Sequence, residues 1–143
     1  MTYSTVLPIW NAARLRFLKT AQTLPEQDLG LQLGQSSIGS LLHHTAEAEY
    51  MFVEWFFGKQ RPEEEIAKPS LTSLDELIEF LVASNNHLLE AMEELTEEQW
   101  LTSMESPMGP STPLEAIGRL MYHIGIHAGQ ISLILKNGQS ETE

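Results

Sequence analysis

The chain has 143 residues and a formal net charge of −12, from 20 acidic and 8 basic side chains. It contains no cysteine, which excludes disulfides, thiolate metal sites and cysteine nucleophiles. The negative charge disfavours binding to nucleic acid or to an anionic membrane surface. The length predicts one domain, residues 1–143, that buries a core without cross-links.

The sequence also limits where the protein works. No apolar run approaches the roughly 20 residues of a membrane span. The first residues lack the basic start and apolar centre of a signal peptide. We therefore expect a cytoplasmic protein with neither a membrane nor nucleic acid among its partners.

The first half of the chain predicts two helices, because apolar residues recur with a helical period and no strand pattern alternates. The first helix spans about residues 7–24, with Pro8 in its first turn. Its predicted apolar face contains Ile9, Ala12, Ala13, Leu15, Phe17 and Leu18. A loop follows. The second helix spans about residues 37–57 and stops at Gly58. Its predicted core residues are Ile38, Leu41, Leu42, Thr45, Phe52, Val53 and Phe56.

The second half predicts two more helices. The third begins at a capping box made by Ser73 and Glu76 and runs to about residue 95, burying Leu77, Phe80, Leu81, Leu88 and Met92. A short extra turn is expected around Trp100. The fourth begins at a capping box made by Thr112 and Glu115 and runs to about residue 136. Its core direction is defined by Ile117, Ile124, Ala128, Ile131 and Leu135. Four amphipathic helices predict an all-α fold, a four-helix bundle.

Histidines dominate the chemistry that this sequence offers. His123 and His127 lie four residues apart on the fourth helix, so their rings project from adjacent turns about 6 Å apart and can bind one metal ion. On the second helix, His44 lies roughly 100° from the apolar centre, whereas His43 lies roughly 140° away on the other side. We therefore predict His44 as the third ligand, His43 as a rim residue and His87 as an exposed or partly buried residue without a ligand role. The alternative is a bundle that binds no metal.

Glu49 is unusual, because its position lies only about 20° from the apolar centre of the second helix. A carboxylate there needs a partner. One interpretation is a catalytic role, as an acceptor for the N–H of a ligand imidazole or as a general base. The other, which we prefer, is a salt bridge to an arginine such as Arg14, Arg16 or Arg119.

Two segments resemble the DinB/YfiT-like superfamily of metal-binding helical bundles. The segment SSIGSLLHHTAEAE is similar to the motif of its second helix, in which a ligand histidine precedes an acidic residue by five positions, here His44 and Glu49. The segment HIGIHAGQISLIL is similar to the motif of its fourth helix, in which two histidines precede a Gly-Gln pair, here His123, His127, Gly129 and Gln130. The chain departs from the pattern at Ala128, where a basic residue is frequent.

The resemblance implies a four-helix bundle whose three histidines hold one divalent metal ion, zinc or nickel, often in a homodimer. Characterised relatives include bacillithiol S-transferases and a mycothiol-dependent maleylpyruvate isomerase. The implied partners are thus a low-molecular-weight thiol and a small-molecule substrate.

Two functions are consistent with such a site. Three neutral imidazoles leave a position open on the metal, which can activate a bound water or thiol. The first hypothesis is therefore a metal-dependent enzyme that transfers a thiol or hydrolyses a substrate, with Glu49 or Gln130 as the catalytic residue that orients the ligands. The alternative is a non-catalytic metal-binding stress or scaffold protein.

Overall fold

Four long helices form most of the computed structural model, which describes residues 1–62 and 68–140. They are α1 (Thr2–Gln22), α2 (Ile38–Phe52), α3 (Leu74–Glu94) and α5 (Pro113–Asn137), with a single turn, α4 (Glu97–Trp100), between the last two. Both α1 and α2 pack against α3 and α5. The predicted all-α bundle is confirmed, as is the extra turn at Trp100. No helix within the described residues is long and apolar enough to span a membrane.

The start of α1 differs from the prediction. The helix begins five residues earlier than residue 7, and Pro8 lies inside it and not in its first turn. The backbone N–H and the hydroxyl of Thr2 donate to the Glu97 carboxylate, at 2.8 and 2.6 Å. This partner lies 95 positions away in the sequence, so no local pattern indicated the extra turns.

The buried face of α1 was predicted only in part, since Phe17 is buried and Ala13 and Leu18 are partly buried against the core. The residues that it buries are Val6, Trp10, Arg14, Phe17 and Ala21. Ile9 and Leu15 are instead 55% and 50% exposed. The reason is that a buried arginine occupies the centre of the stripe, and a hydropathy pattern assigns such a residue to the surface.

A short hairpin precedes α2, where the sequence predicted only a loop. Its strands β1 (Gln32–Leu33) and β2 (Ser36–Ser37) pair antiparallel, with Gln32 opposite Ser37. Gln32 also exchanges two backbone hydrogen bonds of 2.9 Å with Gln139, beyond the end of α5. The hairpin thus joins the start of α2 to the end of α5. Strands of two residues are too short to show an alternating pattern.

The ends of α2 are well determined. The Ser37 side chain accepts a hydrogen bond from the Ser40 N–H, and the Ser40 hydroxyl accepts one from the Ser37 N–H. The helix continues as a π-helical turn, Val53–Phe57, and stops at Gly58, whose φ of 69° is left-handed as predicted. Gly39 packs so closely on the backbone of Leu71 that an added Cβ would overlap the Leu71 carbonyl oxygen.

The helix α5 begins as predicted, at the capping box of Thr112 and Glu115. The helix α3 begins at Ser73, whose side chain accepts from the Glu76 N–H, but the predicted capping box is incomplete, because the Ser73 N–H donates to the Ser70 carbonyl and not to the Glu76 side chain. The predicted core residues of α2 and α3 are buried, except Phe52, which is partly buried. On α5, Ala128 and Leu135 are exposed and not in the core. The buried stripe runs instead through Ala116, Ile117, Leu120, Ile124, His127, Ile131 and Ile134.

Candidate metal centre

Three histidines from two helices converge at the seam between α2 and α5. One ring nitrogen from each of His44, His123 and His127 lies within 4.8 Å of the other two. The ring centroids of His123 and His127 are 4.2 Å apart, and that of His44 is 5.0 and 5.3 Å from them. The structure therefore brings together the three side chains that helical phase selected. Metal binding by them remains a prediction.

The position of each ring follows from its helix. Since α2 packs directly on α5, a residue at the edge of the apolar stripe of one helix faces the other. His127 is only 7% exposed, His123 is half-buried and His44 is exposed. The cluster thus runs from the core to the solvent, and its open side is at His44.

Gln130 orients the most buried of the three rings. The His127 Nδ1–H donates to Gln130 Oε1 at 2.6 Å, which leaves the lone pair of neutral His127 on Nε2. This Nε2 lies 2.9 Å from the Nε2 of His123, so the His123 Nε2–H donates to it. His123 Nδ1 is buried without a partner. His123 and His127 are therefore bonded to each other through a single N–H between their rings, and His44 contacts both rings edge-on.

The surroundings keep two of these imidazoles neutral. Burial, with the nearby charges of His127 and His44 adding to it, lowers the pKa of His123 to about 4. Burial also lowers the pKa of His127, and it outweighs the hydrogen bond to Gln130, which raises that pKa. Neutral imidazoles have free lone pairs, and that is the protonation state which metal binding needs.

The donor set fits a divalent metal ion. Two imidazoles bound tetrahedrally at about 2.0–2.1 Å from one ion have nitrogens roughly 3.3 Å apart. The nitrogens here span 2.9 Å to at most 4.8 Å, so small rotations of the side chains suffice. Among the described residues, this is the one group of His, Asp and Glu side chains placed to hold a metal.

The other two histidines lie elsewhere. The ring of His43 stacks on Phe80 with centroids 5.3 Å apart, and it lies 3.9 Å from the Glu47 carboxylate. The ring of His87 packs on Tyr50 at 5.3 Å and is 5% exposed. The prediction that His87 is exposed or partly buried was therefore wrong. Neither histidine belongs to the cluster.

Glu49 forms the ion pair that the sequence left as one of two interpretations. Its Oε2 accepts from Arg14 Nε at 2.6 Å, and its Oε1 accepts from Arg14 Nη2 at 2.9 Å and from Ser84 Oγ at 2.6 Å. Both partners of the pair are completely buried. None of these partners is a histidine, so Glu49 supports the bundle core and not the cluster.

A cavity of about 740 Å³ opens beside the cluster, with His44 and His123 in its wall. Most of its remaining lining is apolar and comes from Ala48, Met51, Phe52, Trp55, Met108, Tyr122 and Ile126. Glu115 and Arg119 add the remaining charged groups. The lining of this cavity was not predicted from the sequence. One signal was available, because Glu115, Arg119 and His123 recur every four residues and so share one face of α5.

The sequence-family model that describes the DinB superfamily matches residues 9–131 of the chain. The protein belongs to the DinB superfamily. The structure of a DinB-like protein from Bacillus cereus ATCC 10987 superposes on this DinB-superfamily chain with a TM-score of 0.76 and 20% sequence identity. The match covers 91% of this chain and 88% of that one, so the two share their fold. No curated protein matches the chain.

Proposed function

We propose that His44, His123 and His127 bind one divalent metal ion, zinc or nickel, and that this DinB-superfamily protein is a metal-dependent enzyme. The reaction that we propose is transfer of a low-molecular-weight thiol or hydrolysis of a small molecule. The observation that carries the proposal is the convergence of three imidazoles, two with lowered pKa, at the wall of a cavity of about 740 Å³.

Each part of the site has a role in this proposal. A metal held by three imidazoles supplies a Lewis acid that lowers the pKa of a bound water or thiol. Gln130 keeps the Nε2 of His127 unprotonated and directed at the cluster. The apolar walls of the cavity exclude water from a bound substrate. We assign Gln130 a positioning role and Glu49 the structural role of its ion pair.

Metal content tests the first half of the proposal. Protein purified without an affinity tag is expected to contain about one zinc or nickel ion per chain by mass spectrometry of the metal. The variant His44→Ala should lose it. His43→Ala is the matched control, since His43 is the neighbouring residue but packs on Phe80, and it should retain the metal. A wild-type protein that takes up neither ion from buffer, or equal loss in both variants, contradicts the proposal.

Stability and turnover separate an enzyme from a non-catalytic metal protein. If the site is catalytic, His44→Ala should abolish metal uptake and leave the melting temperature nearly unchanged. If the metal is structural, the melting temperature should fall with it. A screen of thiols against electrophilic small molecules, with zinc- and nickel-loaded protein, should then give turnover that His44→Ala loses. Absence of turnover with either metal favours the stress or scaffold alternative.

A homodimer is part of the same proposal. Its support is the superfamily resemblance, which implies a homodimer; α1 and α5 also expose the apolar side chains of Ile9, Leu15 and Leu133, each at least half exposed. Sedimentation equilibrium should give twice the mass of the chain, and the mass of a monomer at high concentration rejects the dimer.

A further inference from the structure

The cavity beside the histidines contains one positive charge, that of Arg119. Arg119 precedes His123 by four residues on α5, so the two side chains project into the same cavity from adjacent turns, about 6 Å apart along the helix axis. A ligand that contacts both Arg119 and His123 would place an anionic group at Arg119. Its other end, beside the histidines, would then lie roughly one helical turn away.

Within residues 1–62 and 68–140, Arg119 has no anionic partner in contact. No carboxylate of the described residues lies within ion-pair distance of it, whereas Arg14, Arg61 and Lys59 are each paired with a glutamate. Its guanidinium lies over two rings, 5.3 Å from the centroid of Phe52 and 5.4 Å from that of Phe56. The two phenyl rings contact the face of the guanidinium, and they contain no nitrogen or oxygen that could accept a hydrogen bond from its N–H groups. The single polar contact is a long one of 3.5 Å to the carbonyl of Met108.

The neighbouring carboxylate of Glu115 is part of the cap at the start of α5 and does not pair with Arg119. Its Oε1 accepts the backbone N–H of Thr112 at 2.9 Å in the cap of α5. This hydrogen bond is the main cause that lowers the pKa of Glu115, and the charge of Arg119 is the least of the causes. The N–H donors of Arg119 therefore remain available to a ligand.

The shape of the cavity adds a second requirement. Much of its lining is apolar, with Met51 from α2, Trp55 from the π-helical turn that follows α2, and Ile126 from α5. A highly polar ligand would lose its hydration against these side chains without recovering hydrogen bonds. An apolar ligand without charge would leave the Arg119 donors unused.

We propose that this cavity binds a small-molecule carboxylate with an apolar body, and that Arg119 sets this specificity. The planar guanidinium pairs with the carboxylate through two parallel hydrogen bonds. The apolar body packs against Trp55 and Ile126, with the far end beside His44 and His123. As a statement about substrate class, the inference rests on the proposed function. Binding itself needs no metal.

Binding of two probes to chelator-treated protein tests the inference. Phenylacetate and phenylacetamide have the same size, but only the first is a carboxylate. We expect wild-type protein to bind phenylacetate roughly tenfold more tightly, as one charge-assisted pair implies. Arg119→Gln should abolish that preference, and Arg119→Lys, which keeps the charge but loses the planar fork, should retain part of it. Chemical-shift titrations give the affinities and show that each variant is folded.

The control is Arg16→Gln, which makes the same change of charge on the exposed surface of α1 and should keep the full preference. Equal affinity of wild-type protein for both probes overturns the inference, as does absence of phenylacetate binding or equal loss of preference in both glutamine variants. Metal uptake is measured on the same preparations. A protein that binds metal but shows no carboxylate preference refutes only the substrate class, and the reverse result refutes only the metal site.

Discussion

Glu49→Gln provides the strongest test of how this bundle is held together. The substitution keeps the size of the side chain but removes the negative charge beside Arg14, which is completely buried. An amide also presents an NH₂ group to one of the two arginine N–H donors, so one of the contacts of 2.6 and 2.9 Å becomes a repulsion between donors. The guanidinium is then left with two neutral acceptors, the amide oxygen of the new side chain and the Leu81 carbonyl, which lies 2.6 Å from Nη2.

The expected cost is large. Breaking a buried ion pair by removing one partner costs about 3–5 kcal/mol, because the other charge remains buried without compensation. For 143 residues, an unfolding entropy of about 2.1 cal/mol/K per residue gives roughly 0.3 kcal/mol per degree. The melting temperature should therefore fall by about 10–16 °C. Urea denaturation at neutral pH measures the free energy of unfolding directly.

A double variant separates the pair from its individual charges. Arg14→Met combined with Glu49→Leu removes both charges and fills the space with apolar groups, so it should cost less than the two single changes added together. Ser84 keeps an acceptor in this variant, the Leu81 carbonyl at 3.1 Å. A Glu49→Gln protein within about 1 kcal/mol of wild type, or strictly additive costs, would refute the reasoning.

Two further predictions concern stability. Gly39→Ala should destabilise the protein by about 1–3 kcal/mol, since the new Cβ would meet the backbone of Leu71, whereas the control Gly129→Ala has open space and should be neutral or stabilising. The metal-free protein should lose stability in acid. The folded pKa of His123, about 4, lies below its unfolded value of 6.5, so the unfolded state takes up the proton first and stability falls as the pH drops from 6.5 to about 4. The loss from His123 is smaller than the roughly 3 kcal/mol that the full difference in pKa would give, because solvent screens the charge of a half-buried ring. Urea denaturation at pH 7 and at the acid end measures it, and a slope unchanged in His123→Asn argues against this origin.

The helices that carry the candidate site could be predicted from the sequence because their signals are local. The cap at Thr112 lies beside the start of α5, and the stop after α2 is signalled by Gly58, since glycine adopts the left-handed backbone that ends a helix. The phase of a regular helix then orients side chains over many turns. The same reasoning placed His44 nearer to the α5 seam than His43.

The parts that could not be predicted depend on distant partners. The first turns of α1 are held by Glu97, and the burial of Arg14 depends on Glu49 in another helix. A pattern within one helix contains neither fact. The cavity beside the histidines could not be predicted for the same reason, because its lining residues come from both α2 and α5. From the sequence, Arg119 was predicted only as a possible partner of Glu49, whereas the Arg119 side chain lines the cavity.

The pairing of Gln32 with Gln139 makes the dynamics of the candidate site accessible to measurement. Its two hydrogen bonds close a link between the element that leads into α2 and the residue that follows α5. These hydrogen bonds thereby connect α2 and α5, the helices that carry His44 and His123, at a point remote from the histidines. In native-state hydrogen exchange, the backbone amide protons of Gln32 and Gln139 report how often these two hydrogen bonds open. Exchange at Gln32 and Gln139 that slows when metal is added would show that local opening at this end of the bundle and release of the ion belong to one cooperative unit.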